Sequence, residues 1–570
     1  MNPITSNSEI HKSLSPRPLQ PQLEEASTGV SAGRDVALYH NNNSPILALP
    51  ELTQLKIIRC LGFREIIRLA KVCRYFRDFV KQNRALERAW DRRFPSPHLY
   101  QLKAAIKTKD EQQLRDWLQT FANSETIDSL IKQRKSSYFP VQLLFSNSKL
   151  MSECKKFKLA EKAKITHSFH FNTATFSADG RHLVIVGEDK TVKIFGQKTD
   201  GSWELKGIIS QSDNVYSASF SPNGRHLATV SSDCQAKIYG QEDDGSWKEK
   251  AILPHIGPVY SVTFSADDRR MVTANAHRTK IFSQGDDGSW ALESTIERGS
   301  SVSSSVISCN GHHLALCSKD CSVKIYAQGP AGSWVEKASI QHSFKIKSAN
   351  FSADSLHVVT VSDDRTAIIS GLQADGSWKK AATIYHNHWR FSVTFSADSC
   401  HLVAASRGGK AKIHSKTADS SWQEKACISH TGEITSANFS ADCRHLVTGS
   451  KDNTVKISTL QADGSWQEEA IIIIHQNSVT SATFSADGCH MVTTSLDGTA
   501  KICGQEADGS WQEKATIQHE SQVKSAAFSA DSRLVVTVTS YAAKITELCK
   551  DDDDPMGLTQ PQPEVSCLLF

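Results

Sequence analysis

One histidine and one aspartate recur along this chain at fixed places in a repeating unit. The histidines are His167, His255, His342, His430, His475 and His519; the aspartates are Asp189, Asp233, Asp320, Asp364, Asp452 and Asp497. An imidazole beside a carboxylate is equipment for general acid–base catalysis or for holding a metal. Both chemistries need one unique constellation. These residues return once per unit, so they are expected to brace turns instead. No Gly-rich phosphate loop, no His-Glu-x-x-His and no ligand pair at metal spacing accompanies them. The expectation is no catalytic residue, no metal and no cofactor, with a hydrolase or lyase on the same scaffold as the competing class. The 14 Cys are scattered without a CxxC pair. They read as free thiols of a reducing cytosol, mostly packing residues.

Those residues ride on a repeat that fills about 155–548. Phe-Ser or Ile-Ser anchors begin at Phe176, Phe220, Phe264, Ile307, Phe351, Phe395, Phe439, Phe484 and Phe528, spaced 44, 44, 43, 44, 44, 44, 45 and 44 residues apart. Trp203, Trp247, Trp290, Trp334, Trp378, Trp422, Trp466 and Trp511 mark the other end of the unit. Each unit holds four short strand patterns separated by turn signals. In one unit these are Val479–Phe484, His490–Thr494, Thr499–Cys503 and Trp511–Ile517. Asp508-Gly509 is its hairpin signal, because Gly takes positive φ at no steric cost. The fourth strand is charged on one side, as an exposed edge should be.

Four strands per 44 residues make one propeller blade. Nine anchors predict nine blades. Leu159–Ile165 has fourth-strand character without a blade of its own, and the last unit lacks its Gly-Ser-Trp strand. The early strand is therefore expected to complete the final blade, closing the ring by hydrogen bonds and leaving no free edge. The fold class is mainly β, a closed propeller of about nine four-stranded blades preceded by a small all-α domain.

Composition bounds the rest. The chain has 570 residues, 39% hydrophobic and 22% charged, with a net charge of +4. That balance supplies no global field for nucleic acid. No apolar run reaches transmembrane length, and the first 18 residues lack a signal-peptide core, so a cytoplasmic chain is expected. Residues 1–44, rich in Ser, Pro, Gln and Asn, read as a disordered tail. Residues 45–94 and 95–154 read as a helical domain and a helical linker, 155–548 as the propeller, and 549–570 as an acidic and Pro/Gln-rich tail.

The helical part begins Leu49-Pro50 and carries apolar stripes at helical spacing. Leu52, Leu55, Ile58 and Leu61 form one stripe; Ile66, Leu69, Val72, Cys73 and Phe76 form another, with Gly62 between as a helix stop. Residues 49–150 hold 20 Lys/Arg against 10 Asp/Glu, without aromatic interleaving or zinc ligands. A solvated face or an acidic protein partner is expected there rather than nucleic acid. This order and spacing resembles an F-box over about 45 residues. One departure is Leu86-Glu-Arg-Ala-Trp90, where the family has Leu and Trp adjacent. The resemblance implies docking to the small adaptor subunit, and through it to the cullin, of a ubiquitin ligase. Its contact positions fall on Leu49, Pro50, Leu55, Ile58, Leu61, Val72 and Phe76.

The repeats resemble WD repeats over about 390 residues. The family's Trp-Asp is missing; its Trp place holds Phe195, Tyr239, Phe282, Tyr326, Ser370, His414, Ser458, Cys503 and Thr546. The family's buried bonding chain is thus incomplete, and blades weaker than consensus are expected. In this family the loops leading into the first strand face a rim where partners bind. At those places the near-identical units diverge to Tyr216, Tyr260, Lys345, Lys347, Trp389, Phe391 and Lys524, and Arg390 replaces a framework Val. Aromatic and basic anchors are what an interface hot spot needs.

The chain closes on Cys567-Leu-Leu-Phe570. Cys, two aliphatics and Phe resemble a prenylation box, which implies a prenyltransferase as partner, a lipid on Cys567 and a membrane surface. Asp551–Asp554 precede it where such tethers carry basic residues. Together these features imply a substrate receptor of an F-box-type ubiquitin ligase, a non-catalytic subunit that binds an adaptor and an unknown target. A plain WD-repeat scaffold is the alternative. The combination is similar to effectors of intracellular bacteria.

Overall fold

The structure, a computed structural model, describes residues 102–550 apart from short loop segments, together with Arg74–Gln82 and isolated positions between 54 and 88. Everything below concerns the compact unit Leu61–Phe570.

Among the described residues four helices are delimited before the strands. Helix α1 (Arg74–Gln82) buries Phe76, Phe79 and Val80. Helix α2 (Glu111–Gln119) starts in a capping box. Asp110 Oδ1 accepts the N–H of Gln113 at 2.8 Å, and Gln113 Oε1 accepts the N–H of Asp110 at 3.2 Å. Helix α3 (Ser124–Ile131) buries Ile127, Leu130 and Ile131 and is tied to α2 by the Arg115–Asp128 ion pair at 2.6 Å. Helix α4 (Phe139–Glu153) opens on Phe139-Pro140, where the missing N–H of Pro costs nothing.

Nine separate sheets follow. Blades one to eight span 171–210, 215–254, 259–297, 302–341, 346–385, 391–429, 434–474 and 479–518; blade nine combines Val523–Phe528, Leu534–Thr539 and Ala542–Lys550 with the early strand Phe157–Thr166. All pairing within a blade is antiparallel. The early strand pairs with the last one from Phe157↔Lys550 to Thr166↔Ala542. The sheets themselves are not closed, and this corrects the expectation of a ring without free edges. Each sheet keeps an inner and an outer edge. Blade one meets blade nine through side chains, with Phe171, Leu183 and Ile185 packed against Leu534, Val536 and Val538.

Burial explains the strand patterns. The second strand of a blade is covered on both faces by its neighbours, so it reads as a continuous apolar run. His182–Gly187 and His357–Ser362 are buried throughout. The third strand alternates, as in Thr191–Gln197. The Trp that opens the outer strand fixes each seam. Trp247 touches Phe220 of its own blade (5.8 Å between centroids) and stands edge-on to His182 of the blade before (5.5 Å). The motif repeats at His226–Trp290, His313–Trp378, His357–Trp422, His401–Trp466 and His445–Trp511. In blade nine Phe157 takes the place of Trp and meets His490 at 5.4 Å. Blade seven carries the 45-residue spacing. Its outer strand is described over Trp466–Glu468 and Ile473–Ile474, which both pair with the third strand.

Each blade has two ends. The turn end carries the first-to-second-strand turns and the hairpins before the Trp. At this end α2 and α4 sit on blades eight and nine. Lys514, its side chain 1% exposed, donates to Cys154 O at 2.6 Å just past the C-terminus of α4 and pairs with Glu506 at 2.5 Å. Arg533 lies with its guanidinium over the Trp117 ring (5.0 Å), donates to Trp117 O and pairs with Glu547 at 3.0 Å. The Trp117 indole N–H reaches Asp531 Oδ2 at 3.2 Å. Burial lowers the Arg533 pKa, and Asp531 and Glu547 oppose that shift.

Candidate functional site: the loop end of the propeller

The other end carries the second-to-third-strand turns and the connections between blades. Here the recurrent His and Asp do the structural work expected of them. In blade five His342 Nδ1 donates to Asp364 Oδ2 at 3.0 Å, and its Nε2 lies 2.9 Å from Thr360 Oγ1. Asp364 also accepts the N–H groups of Ser343 (2.9 Å) and Thr366 (2.9 Å) and the Thr366 hydroxyl (2.6 Å). One carboxylate therefore staples the incoming connection to the turn beside it. His430–Asp452 and His475–Asp497 repeat this in blades seven and eight, at 3.1 Å each. The three imidazoles are fully buried, so substrate cannot reach them.

Hydrogen bonds outweigh the cost of burial on the Asp497 carboxyl and hold it at about 2; Asp364 is lowered in the same way. Burial lowers His430 and His475 despite their aspartates. Other blades keep less of the motif. His519 Nε2 meets Thr537 Oγ1 at 2.8 Å, and burial drops its pKa to about 4. Gln211 fills the histidine place in blade two and donates to Thr229 at 2.9 Å. His386, which sequence reasoning passed over, fills it in blade six. It stacks on Phe391 (4.8 Å) and sits 3.0 Å from Ala404 O, and burial pulls it to about 4. His167 lies outside the described residues.

The diverging residues do cluster at this end. In eight blades the inner strand begins with a bulge that pushes out its second residue, as between Val215 and Ser217, Val259 and Ser261, and Ile346 and Ser348. Tyr216, Tyr260, Lys347 and Lys524 occupy bulged positions and are exposed. The Tyr216 and Tyr260 rings lie 5.4 Å apart on neighbouring blades. Lys347 Nζ sits 5.4 Å from the Trp389 ring centroid and 3.3 Å from Asp363. Lys345 is exposed in the same connection.

Phe391 is a correction. In blade six Phe391 pairs directly with Ser406, the partner that a framework Val or Ile takes elsewhere, with no register shift over the described pairs. Its ring is 8% exposed and belongs to the core. Phe391 thus fills the framework slot. Arg390 lies outside the described residues.

Of the adaptor positions, Leu49, Pro50, Leu55, Ile58, Leu61 and Val72 lie outside the described residues, as does Cys567. Phe76 is 1% exposed, so it packs its helix rather than meeting a partner directly. Among the described residues no helix is long and apolar enough to cross a membrane, and no three His, Cys, Asp or Glu are grouped to hold a metal.

Residues 46–87 match the family profile "F-box domain". Residues 162–196, 203–240, 422–457 and 466–503 match "WD domain, G-beta repeat". No curated protein matches the chain. Among solved structures, Saccharomyces cerevisiae Sqt1 is 15% identical, covering 60% of this chain and 97% of that one with a TM-score of 0.45. The C-terminal WD40 domain of Sif2 is 13% identical, covering 68% of this chain and 98% of that one with a TM-score of 0.45. Sqt1 of Chaetomium thermophilum is 14% identical, covering 60% of this chain and 97% of that one with a TM-score of 0.46.

Proposed function

We propose that this chain, an F-box domain joined to a nine-bladed WD40 propeller, is the substrate-recognition subunit of a cullin-RING ubiquitin ligase. In this reading Leu49, Pro50, Leu55, Ile58, Leu61 and Val72 bind the small adaptor, which brings the cullin. Phe76 supports them from inside its helix. The loop end holds the target through Tyr216, Tyr260, Lys345, Lys347, Trp389, Arg390 and Lys524. The observation that carries the reading is the division of the propeller. The chain's own helices dock at its turn end, while exposed aromatic and basic side chains gather at its loop end.

A non-catalytic WD-repeat scaffold is the second reading, and the intact Leu49-Pro50 start with its apolar stripes favours the first. For a chain ending at Phe570, Cys567 is the proposed site of a geranylgeranyl group, and labelling with a lipid analogue reads it directly. Affinity capture from eukaryotic cytosol tests the main reading. Wild type should bring down adaptor and cullin, and Leu49→Ala with Pro50→Ala should lose both while the propeller melts unchanged. Undiminished capture by the double variant would refute it.

A further inference from the structure

We propose that the seam between blades five and six, at the loop end, docks an acidic segment of a partner protein that carries large apolar side chains among its carboxylates. The proposal rests on the target-binding reading above and names the chemistry of that target.

Over its described residues, Phe391–Phe395, the inner strand of blade six runs without the register shift found in the other eight blades. The register is absorbed by turning Phe391 inward, which leaves Trp389 outside, 38% exposed, beside Lys347. Phe344, in the connection into blade five, is 63% exposed and adjoins Lys345. Lys347 and Trp389 thus meet across this seam, and Phe344 and Lys345 lie exposed just before Lys347 in the chain. Basic charge exceeds the carboxylate available there. Asp364 is consumed by His342, Ser343 and Thr366, which leaves Asp363 beside Lys347. Lys345 has no ion pair among the described residues, and Arg365 is exposed in the neighbouring turn.

Rigid rings beside ammonium groups suit a segment that offers both. Its carboxylates meet the lysines, and its apolar side chains cover the rings and exclude water, which strengthens the charge contact. The chain's own acidic run is not the occupant in cis. Asp551–Asp554 follow Lys550, which pairs with Phe157 at the turn end. Four residues reach about 14 Å, whereas the seam lies at the opposite end of the blades and four blades away.

Fluorescence anisotropy on the full-length chain tests this with short labelled probes: alternating Glu and Leu, Lys in place of Glu, Gly in place of Leu, and phosphoserine in place of Glu. The Glu–Leu probe should bind, more weakly at high salt, and both the Lys and the Gly probes should bind at least about tenfold more weakly. Lys345→Glu with Lys347→Glu should cost about tenfold or more, and Trp389→Ala a similar factor, with melting unchanged. His312→Ala, at the turn end of blade four, should leave the affinity alone. Equal affinity for the Glu and Lys probes, or an unaffected double reversal, would overturn the proposal. Binding of the phosphoserine probe alone would overturn its carboxylate chemistry. If no probe binds but the double reversal still abolishes capture of a cytosolic protein, the acidic segment is wrong and target binding stands. If no loop-end substitution affects any capture, target binding itself fails.

Discussion

The two ends of the propeller are made by the same repeated unit and are used in opposite ways. At the turn end of blades eight and nine, side chains exposed in other blades are covered. Arg533 stands where Arg225, Arg269 and Arg444 are exposed, and it is buried under Trp117. Lys514 stands where Lys250 is half in solvent, and it caps the end of α4. At the loop end the framework residues are buried, and the divergent ones face water. The repeat thus supplies a rigid frame twice over, and substitution at a few positions decides which end holds the chain's own helices and which is left for another molecule.

The comparison can be broken at several strengths. The largest effect is expected at the covered end. Arg533→Ala leaves Glu547 and Asp531 without their buried partner and should cost about 3–5 kcal/mol, with α2 exchanging amide hydrogen faster. A smaller loss is expected inside the loop-end frame. His475→Ala takes one donor from Asp497 and the imidazole partner from Thr493, and should cost about 1–3 kcal/mol by urea unfolding, against little for a surface histidine such as His312.

A third effect depends on pH. His519 has a folded pKa of about 4 against about 6.5 unfolded, so the unfolded chain binds the extra proton between those values. Its stabilisation is present above about pH 6.5 and is lost as pH falls toward 4. His519→Gln imitates Gln211, keeps a donor for Thr537 and cannot charge. The variant should therefore lose less melting temperature than wild type between pH 7.5 and pH 5, and an equal loss would contradict the assignment. The smallest effect belongs to the open end. Tyr216→Ala with Tyr260→Ala should change stability by less than about 1 kcal/mol.

Much of this frame is legible in the sequence because it is periodic. Anchor spacing places the strands of all nine blades. The fourth-strand pattern at Leu159–Ile165 pairs where expected, although the strand runs further, from Phe157 to Thr166. What is not periodic is not legible. Phe391 takes the framework register opposite Ser406 one place later in its repeat than the Val or Ile of other blades, and no residue type announces that shift. His386 hides beside His388, so the repeat can be aligned without it. The docking of Trp117 on Arg533 joins residues 416 apart and follows no repeat. The adaptor positions are read from order and spacing alone, and their test is biochemical.

The proposed function requires one chain to join an adaptor through its F-box residues to a target at the loop end of its propeller. The most direct measurement is calorimetric titration of the purified small adaptor subunit into the full-length chain. Saturable one-to-one binding is predicted, abolished by Leu49→Ala with Pro50→Ala and untouched by Lys345→Glu with Lys347→Glu. No heat from the wild-type chain, or equal binding by the Leu49 and Pro50 variant, would contradict it.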